Sequence, residues 1–255
     1  MKQKTEKNKY IVPALERGIR ILELLSACPN GLTMPEMSCL DLPSASLYRM
    51  LVTLSELGYI VRDEGDRYRL SRKLLSLACN TMDEHGIAEK AIGLMRELRD
   101  RSGETVLLAV LYGNEGIVID EAVSSQAVKV SVQIGHHFPL HTAAPAKAIL
   151  AYLPEEERKR LLNSIRFTRF TPHTIPNRES LETELHAIRK CGYSLDRGEE
   201  LEEIRCAGAP ILNHAGYPVA AIWISGPVSR LTPEALLRCG EMVRECAAKI
   251  SQKFS

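Results

Sequence analysis

The sequence predicts an α+β protein in two parts: a small N-terminal winged helix-turn-helix, a connecting helix, and a larger C-terminal domain with an antiparallel sheet. Three observations predict it. The first seventy residues set out helix, helix, turn, helix and a basic hairpin. From residue 87 onward, helical periodicity alternates with strand-like apolar runs such as residues 105–112. At 255 residues the chain also exceeds the usual size of one compact domain. The expected divisions are residues 11–72 for the winged module, 73–86 for the connecting helix and 87–255 for the second domain.

Pro13 suits the first turn of a helix over about residues 13–27, in which Leu15, Ile19 and Leu22 form a stripe; Asn30-Gly31 ends it in a turn. Thr33-x-x-Glu36 has the form of a capping box and opens a short helix over about 34–40. Pro43 disfavours helical geometry at Leu42 and suits the start of a third helix over about 44–57, closed by Gly58. At 100° per residue, Leu47, Met50, Leu51 and Leu54 share one arc and are expected in the core. Ala45, Ser46, Arg49, Val52 and Thr53 occupy the opposite arc, with Tyr48 at its edge. Residues 59–62 and 67–70 alternate in type around Asp63-Glu-Gly-Asp66, a turn in which Gly65 is expected at positive φ.

These residues suggest contact with a nucleic acid. An exposed helix face with small hydroxyls around one arginine suits the major groove, where arginine reads guanine edges and hydroxyls meet phosphates or bases. Ser44, Ser46, Tyr48, Arg49 and Thr53 are the candidate contacts on the helix. Arg62, Arg67 and Arg69 are those on the wing, placed to neutralise flanking phosphates. Net charge cannot decide the matter. The formal total is only +1, and residues 1–75 hold 12 Lys/Arg against 9 Asp/Glu while the remainder holds 21 against 23.

Seven cysteines, an odd number without a Cys-x-x-Cys spacing, argue against a disulfide framework and a zinc ribbon. His137 and His141 stand four apart, but Pro139 between them spoils a helical metal pair. No bound metal or cofactor is expected. With no signal-like or membrane-length apolar segment, the sequence reads as a soluble cytoplasmic protein with no membrane contact.

In the second part, a linker helix is read over residues 71–82 from Leu74, Leu77, Ala78 and Thr81. A helix over about 87–101 stops at Ser102-Gly103. A hairpin joins 105–112 to 117–121 across Gly113–Gly116, and 128–134 is expected as a third strand. Helices follow at about 144–152 and 154–163, then one capped by Asn177 with Leu181, Leu185 and Ile188 inward. Strands near 192–196, 205–212 and 218–225 precede a last helix started by Thr232-Pro233, with Leu236, Val243 and Ile250 inward.

Several phrases carry a specific likeness. Val12-Pro-Ala-Leu-Glu-Arg-Gly18, Gly31-Leu-Thr33, Leu54-Ser-Glu-Leu-Gly-Tyr59 and Arg67-Tyr-Arg-Leu70 resemble the IclR family of bacterial transcription regulators. The likeness continues in Pro139-Leu-His141, Gly192-Tyr193, Arg205-Cys206 and Ile224-Ser-Gly-Pro227 and spans nearly the whole chain. It implies a GAF-like or PAS-like effector domain, palindromic operator DNA as partner, and a homodimer or dimer of dimers. It also implies effector contacts at Ala127, Val130, Ala144, Pro145, Asp196, Ile204, Cys206, Trp223 and Ser225. Three positions depart from the family pattern: Ala45 replaces a hydroxyl residue, Pro145-Ala146 replaces a small-small-Gly run, and Trp223 replaces a smaller side chain.

Within that implied pocket, the start of the helix at 144–146 offers free backbone N–H groups, which suit an anion. A carboxylate such as Asp196 beside them repels an acidic ligand unless it accepts from hydroxyls, so the expected effector is a small hydroxylated or aromatic carboxylic acid. The glutamates at 199, 200, 202 and 203 read as solvated. Two other classes stay open on residues alone: an enzyme using Cys206 as nucleophile or redox thiol, which no His or Asp at recognisable spacing supports, and a protein-docking adaptor.

Overall fold

The computed structural model describes residues 10–74, 77 and 86–254, and these fall into two compact units that divide before Gly86. The expected linker helix over 73–86 lies mostly outside the described residues.

In the first unit α1 (Pro13–Ser26) begins at its proline and buries Ile21 and Leu25. Of the expected stripe Leu22 packs against the core, but Leu15 and Ile19 are exposed, because only the second half of the helix meets the core. The second helix is a 3-10 turn, Pro35–Leu40, which ends where Asp41 adopts φ 49°. Its capping box forms only in part. The Glu36 carboxylate accepts from the Thr33 backbone N–H at 2.7 Å, but the Thr33 hydroxyl donates to that same carboxylate instead of capping the helix.

Helix α2 (Ser44–Glu56) follows Pro43 and buries Leu47 and Leu51, with Met50 and Leu54 packed against them. Strands β1 (Ile60–Arg62) and β2 (Tyr68–Leu70) pair antiparallel, and Leu32 bridges to Tyr68. Gly31, at φ 71°, admits this approach, since a Cβ there would lie 2.7 Å from the Tyr68 carbonyl oxygen. In the wing turn, positive φ falls on Asp66 (59°) and not on Gly65. The reason is Asp63, whose Oδ1 accepts from the N–H groups of Gly65 and Arg67 at 3.0 Å and shapes the turn.

The second unit is a six-stranded antiparallel sheet with helices on both faces. Its elements are α3 (Ile87–Ser102), β3 (Thr105–Tyr112), β4 (Glu115–Ala122), β5 (His137–Phe138), α4 (Ala144–Tyr152), α5 (Glu155–Ser164), α6 (Arg178–Cys191), β6 (Ser194–Asp196), β7 (Ile204–Leu212), β8 (Pro218–Pro227) and α7 (Pro233–Ser251). Strand order is β5-β4-β3-β8-β7-β6. Covering both faces explains why β3 and β8 are continuous apolar runs, where a half-solvated antiparallel strand would alternate. Val106, Leu108, Ile222 and Ile224 pack against α3 and α7, and Leu107, Ala109, Ala221 and Trp223 belong to the core with α4 and α6.

The caps follow the sequence. Asn177 Oδ1 accepts from Ser180 N–H at 2.9 Å, and Thr232 Oγ1 from Ala235 N–H at 3.3 Å. Two expectations change. The β3–β4 hairpin turns on Gly113-Asn114 alone, and Gly116 lies inside β4, paired with Leu111, at a position where a Cβ would strike the Phe138 ring at 2.0 Å. Residues 128–134 form no strand, for their links to the domain are made by side chains and not by a ladder: Thr105 Oγ1 donates to Val130 O, and Glu121 accepts from Val132 N–H.

Candidate functional site

On the first unit, Ser44, Tyr48, Arg49 and Thr53 are exposed along α2 and Ser46 is half-buried. The Thr53 hydroxyl donates to Arg49 O at 2.8 Å, so it has acceptor capacity to offer and not its proton. Arg49 has no ion pair among the described residues. The wing arginines differ. Arg62 pairs with Asp66 at 2.8 Å, Arg69 with Asp63 at 2.8 Å, and Arg67 with Glu36 at 3.0 Å. Arg67 also donates to Gly31 O at 3.2 Å, which ties the wing to the turn before the 3-10 helix. Exposed pairs of this kind are weak and can yield to phosphate, but Arg67 is the most committed internally. An open apolar cleft of about 750 Å3 runs between α1 and α2, with Leu15, Ile19, Met50 and Leu57 among its walls.

On the second unit a smaller cavity of about 130 Å3 has the chemistry of a ligand site. Val130, Ala144, Pro145, Asp196, Ile204, Cys206, Trp223 and Ser225 all line it. Ala127 does not; it lies exposed in the bend at 125–128. Register creates the site: Asp196 stands opposite Cys206, and Cys206 opposite Ser225, a row across β6, β7 and β8. Gly208 stands opposite Trp223, and a Cβ on it would lie 3.1 Å from the backbone of Ala144 and Pro145. That gap lets the start of α4 rest on the sheet. Trp223 meets Phe138 edge-on at 5.8 Å, and the aromatic pair makes one apolar wall.

Sequence reasoning missed Val118, Val132, His136, Phe138, Ala143, Glu200 and Leu201, which also line the cavity. Glu199 and Glu200 depart from the solvated reading: the first is buried and the second half-buried. Gly198, at φ 90°, turns the chain so that Glu199 points inward and Glu200 reaches the cavity, where it accepts from Thr142 Oγ1 at 3.0 Å. That glycine was the available signal. Glu199 meets Lys147, a fully buried lysine whose Nζ lies 2.6 and 2.8 Å from the carboxylate oxygens and 2.7 Å from Leu195 O.

Burial sets the electrostatics. It raises the Asp196 carboxyl, although the N–H groups of Glu199 and Gly198, donating at 2.7 and 3.0 Å, oppose the shift with Lys147. Burial pushes Glu199 up to about 7 against the pull of Lys147. It also drives the Cys206 thiol well above its usual range, and that thiol donates to Ser225 Oγ at 3.3 Å. A thiol held protonated is a poor nucleophile. His141 is buried with Nε2 3.0 Å from Thr168 O, and among the described residues no three His, Cys, Asp or Glu side chains converge as a metal site. None of the described helices is long and apolar enough to cross a membrane.

Residues 14–64 match the model of the IclR helix-turn-helix domain, and residues 79–252 match that of the bacterial transcriptional regulator IclR C-terminal domain. The chain belongs to the IclR family. Its similarity extends to the HTH-type transcriptional repressor AllR of Klebsiella pneumoniae, 34% identical over 93% of this chain and 88% of that one. The HTH-type transcriptional regulator XynR of Escherichia coli is 32% identical over 95% and 97%. Among solved structures, the Thermotoga maritima IclR aligns with a TM-score of 0.77 at 32% identity, covering 95% of this chain and 98% of that one. An IclR homologue from Microbacterium hydrocarbonoxydans, solved with 4-hydroxybenzoate, shares the fold with a TM-score of 0.83 at 23% identity over 94% and 98%. IclR-family proteins of this kind are DNA-binding transcriptional regulators with a ligand-binding C-terminal domain; they are not enzymes, and Cys206 needs no catalytic role.

Proposed function

We propose that this IclR-family regulator is a cytoplasmic, effector-responsive repressor of a catabolic operon. Residues 11–72 bind operator DNA, 73–86 link the two parts, and 87–255 bind the effector and oligomerise. The operator is palindromic, because two copies must set their α2 helices into successive major grooves, and the working form is a dimer or a dimer of dimers. Arg49 reads base edges, Ser44, Ser46, Tyr48 and Thr53 make supporting contacts, and Arg62 and Arg69 exchange their carboxylates for phosphates.

The effector is a small hydroxylated carboxylic acid. The row Asp196–Cys206–Ser225 facing the start of α4 carries this reading: a carboxyl and a hydroxyl on the sheet side to meet ligand hydroxyls, backbone donors on the helix side to meet its carboxylate. Glu200 adds an acceptor. The 4-hydroxybenzoate bound by the Microbacterium hydrocarbonoxydans protein is of the same chemical class. Thermal-shift screening tests the idea. Hydroxylated carboxylates should raise the melting temperature, and in gel retardation the same compounds should change operator affinity. A preference for neutral or cationic ligands would sink the effector class.

A further inference from the structure

Residues 125–134 pass along the cavity as a strap that belongs to no sheet, yet Val130 and Val132 form part of the cavity wall. Three side chains anchor the strap to the rest of the domain. Thr105 Oγ1 donates to Val130 O at 2.5 Å, and Glu121 accepts from Val132 N–H at 3.3 Å. The third is Arg230, beyond the end of β8 and outside the cavity, whose Nη2 donates to Val128 O at 2.9 Å.

Arg230 can do this because its guanidinium is itself fixed. Nε and Nη2 form a fork on the carboxylate of Glu104, with Nη2 2.7 Å from Oε2. Glu104 is only 2% exposed. Its seat depends on Gly226, where a Cβ would lie 2.7 Å from the Glu104 carboxyl group. A planar fork held at two points aims its remaining donors in a set direction, which a lysine cannot reproduce. Here that direction is the strap.

We infer that Arg230 is a positioning residue of the effector cavity: without touching ligand, it latches the strap closed beside Trp223 and so sets how readily a small molecule enters and leaves. The functional consequence rests on the cavity being the effector site, but the latch can be tested without any effector. Trp223 is the only tryptophan and is 5% exposed in the cavity wall, so quenching of its fluorescence by acrylamide reports how open the wall stands. In the full-length protein, Arg230→Ala should raise the quenching constant severalfold and speed amide hydrogen exchange at 125–134. Arg230→Lys keeps the charge beside Glu104 but cannot span to Val128 as well, and should fall between. Arg178→Ala, which removes an ion pair to Glu182 on α6, should leave both readouts unchanged.

Wild-type quenching in a natively folded Arg230→Ala protein would overturn the inference, as would equal quenching in wild type and Arg230→Lys should the alanine variant not fold. If thermal-shift screening of wild type finds no hydroxylated carboxylate that stabilises it, the effector reading fails while the latch stands or falls on quenching alone.

Discussion

Arg49 and Arg67 carry the same charge on the same unit but have different surroundings, and they should behave differently. Arg49 is exposed on α2 and has no ion pair among the described residues, so Arg49→Ala should weaken operator binding by about 1–3 kcal/mol and relax base preference at one position. Arg67 is held by Glu36 and Gly31 O, so Arg67→Ala should lower the melting temperature of the DNA-binding unit more than it changes the salt dependence of DNA affinity. Titrating fluorescently labelled operator and random duplexes across salt concentrations separates the two. In the cavity, Glu199 gives a pH prediction. Its folded value of about 7 exceeds the ordinary 4.5, so the folded state holds more protons between those values, and stability should fall as pH rises through that window. Asp196 shifts in the same direction. Glu199→Gln should flatten the dependence of melting temperature on pH between about 5 and 7.

Elements were readable where local chemistry dictates them. Asn177, Gly103, Gly192 and Pro13 bound their helices as expected, since caps and turns depend on one residue and its neighbours. The sequence was silent where a distant partner decides. Residues 128–134 read as a strand by composition, but Thr105, Glu121 and Arg230 bind them elsewhere, and none of these contacts leaves a periodic trace. Glu199 and Glu200 sit in a run that resembles a solvated acidic loop; only Gly198 and the buried Lys147 turn it inward. Eight of the nine residues named by family resemblance line the cavity, and pattern alone named none of them, which is why the departures at Pro145 and Trp223 bear most on the effector proposed here. Gly208→Ala tests how α4 is placed. The added methyl, 3.1 Å from backbone atoms of Ala144 and Pro145, should lift the helix start from the sheet and cost about 1–3 kcal/mol in stability. Effector-induced thermal stabilisation should shrink with it, measured against wild type under the same ligand concentrations.

For the molecule as a whole, the proposed function gives the two units separable tasks and couples them across a dimer. If paired α2 helices read successive major grooves, inserting about five base pairs at the operator centre should abolish high-affinity binding, and about ten should restore part of it, because the helical phase returns. Gel retardation on three such duplexes suffices. The antiparallel pairing of β3 with β8 bears on how relatives diverge. Along β8, Ala220, Ile222 and Ile224 lie in the α3–α7 core, while Trp223 and Ser225 look into the cavity from the opposite face. Alternate letters of one ten-residue word therefore answer to different selective demands. On the proposed reading, a change at 225 alters what the cavity accepts while Ala220, Ile222 and Ile224 go on packing the opposite core, whereas a change at 223 also disturbs the core that Trp223 shares with α4 and α6.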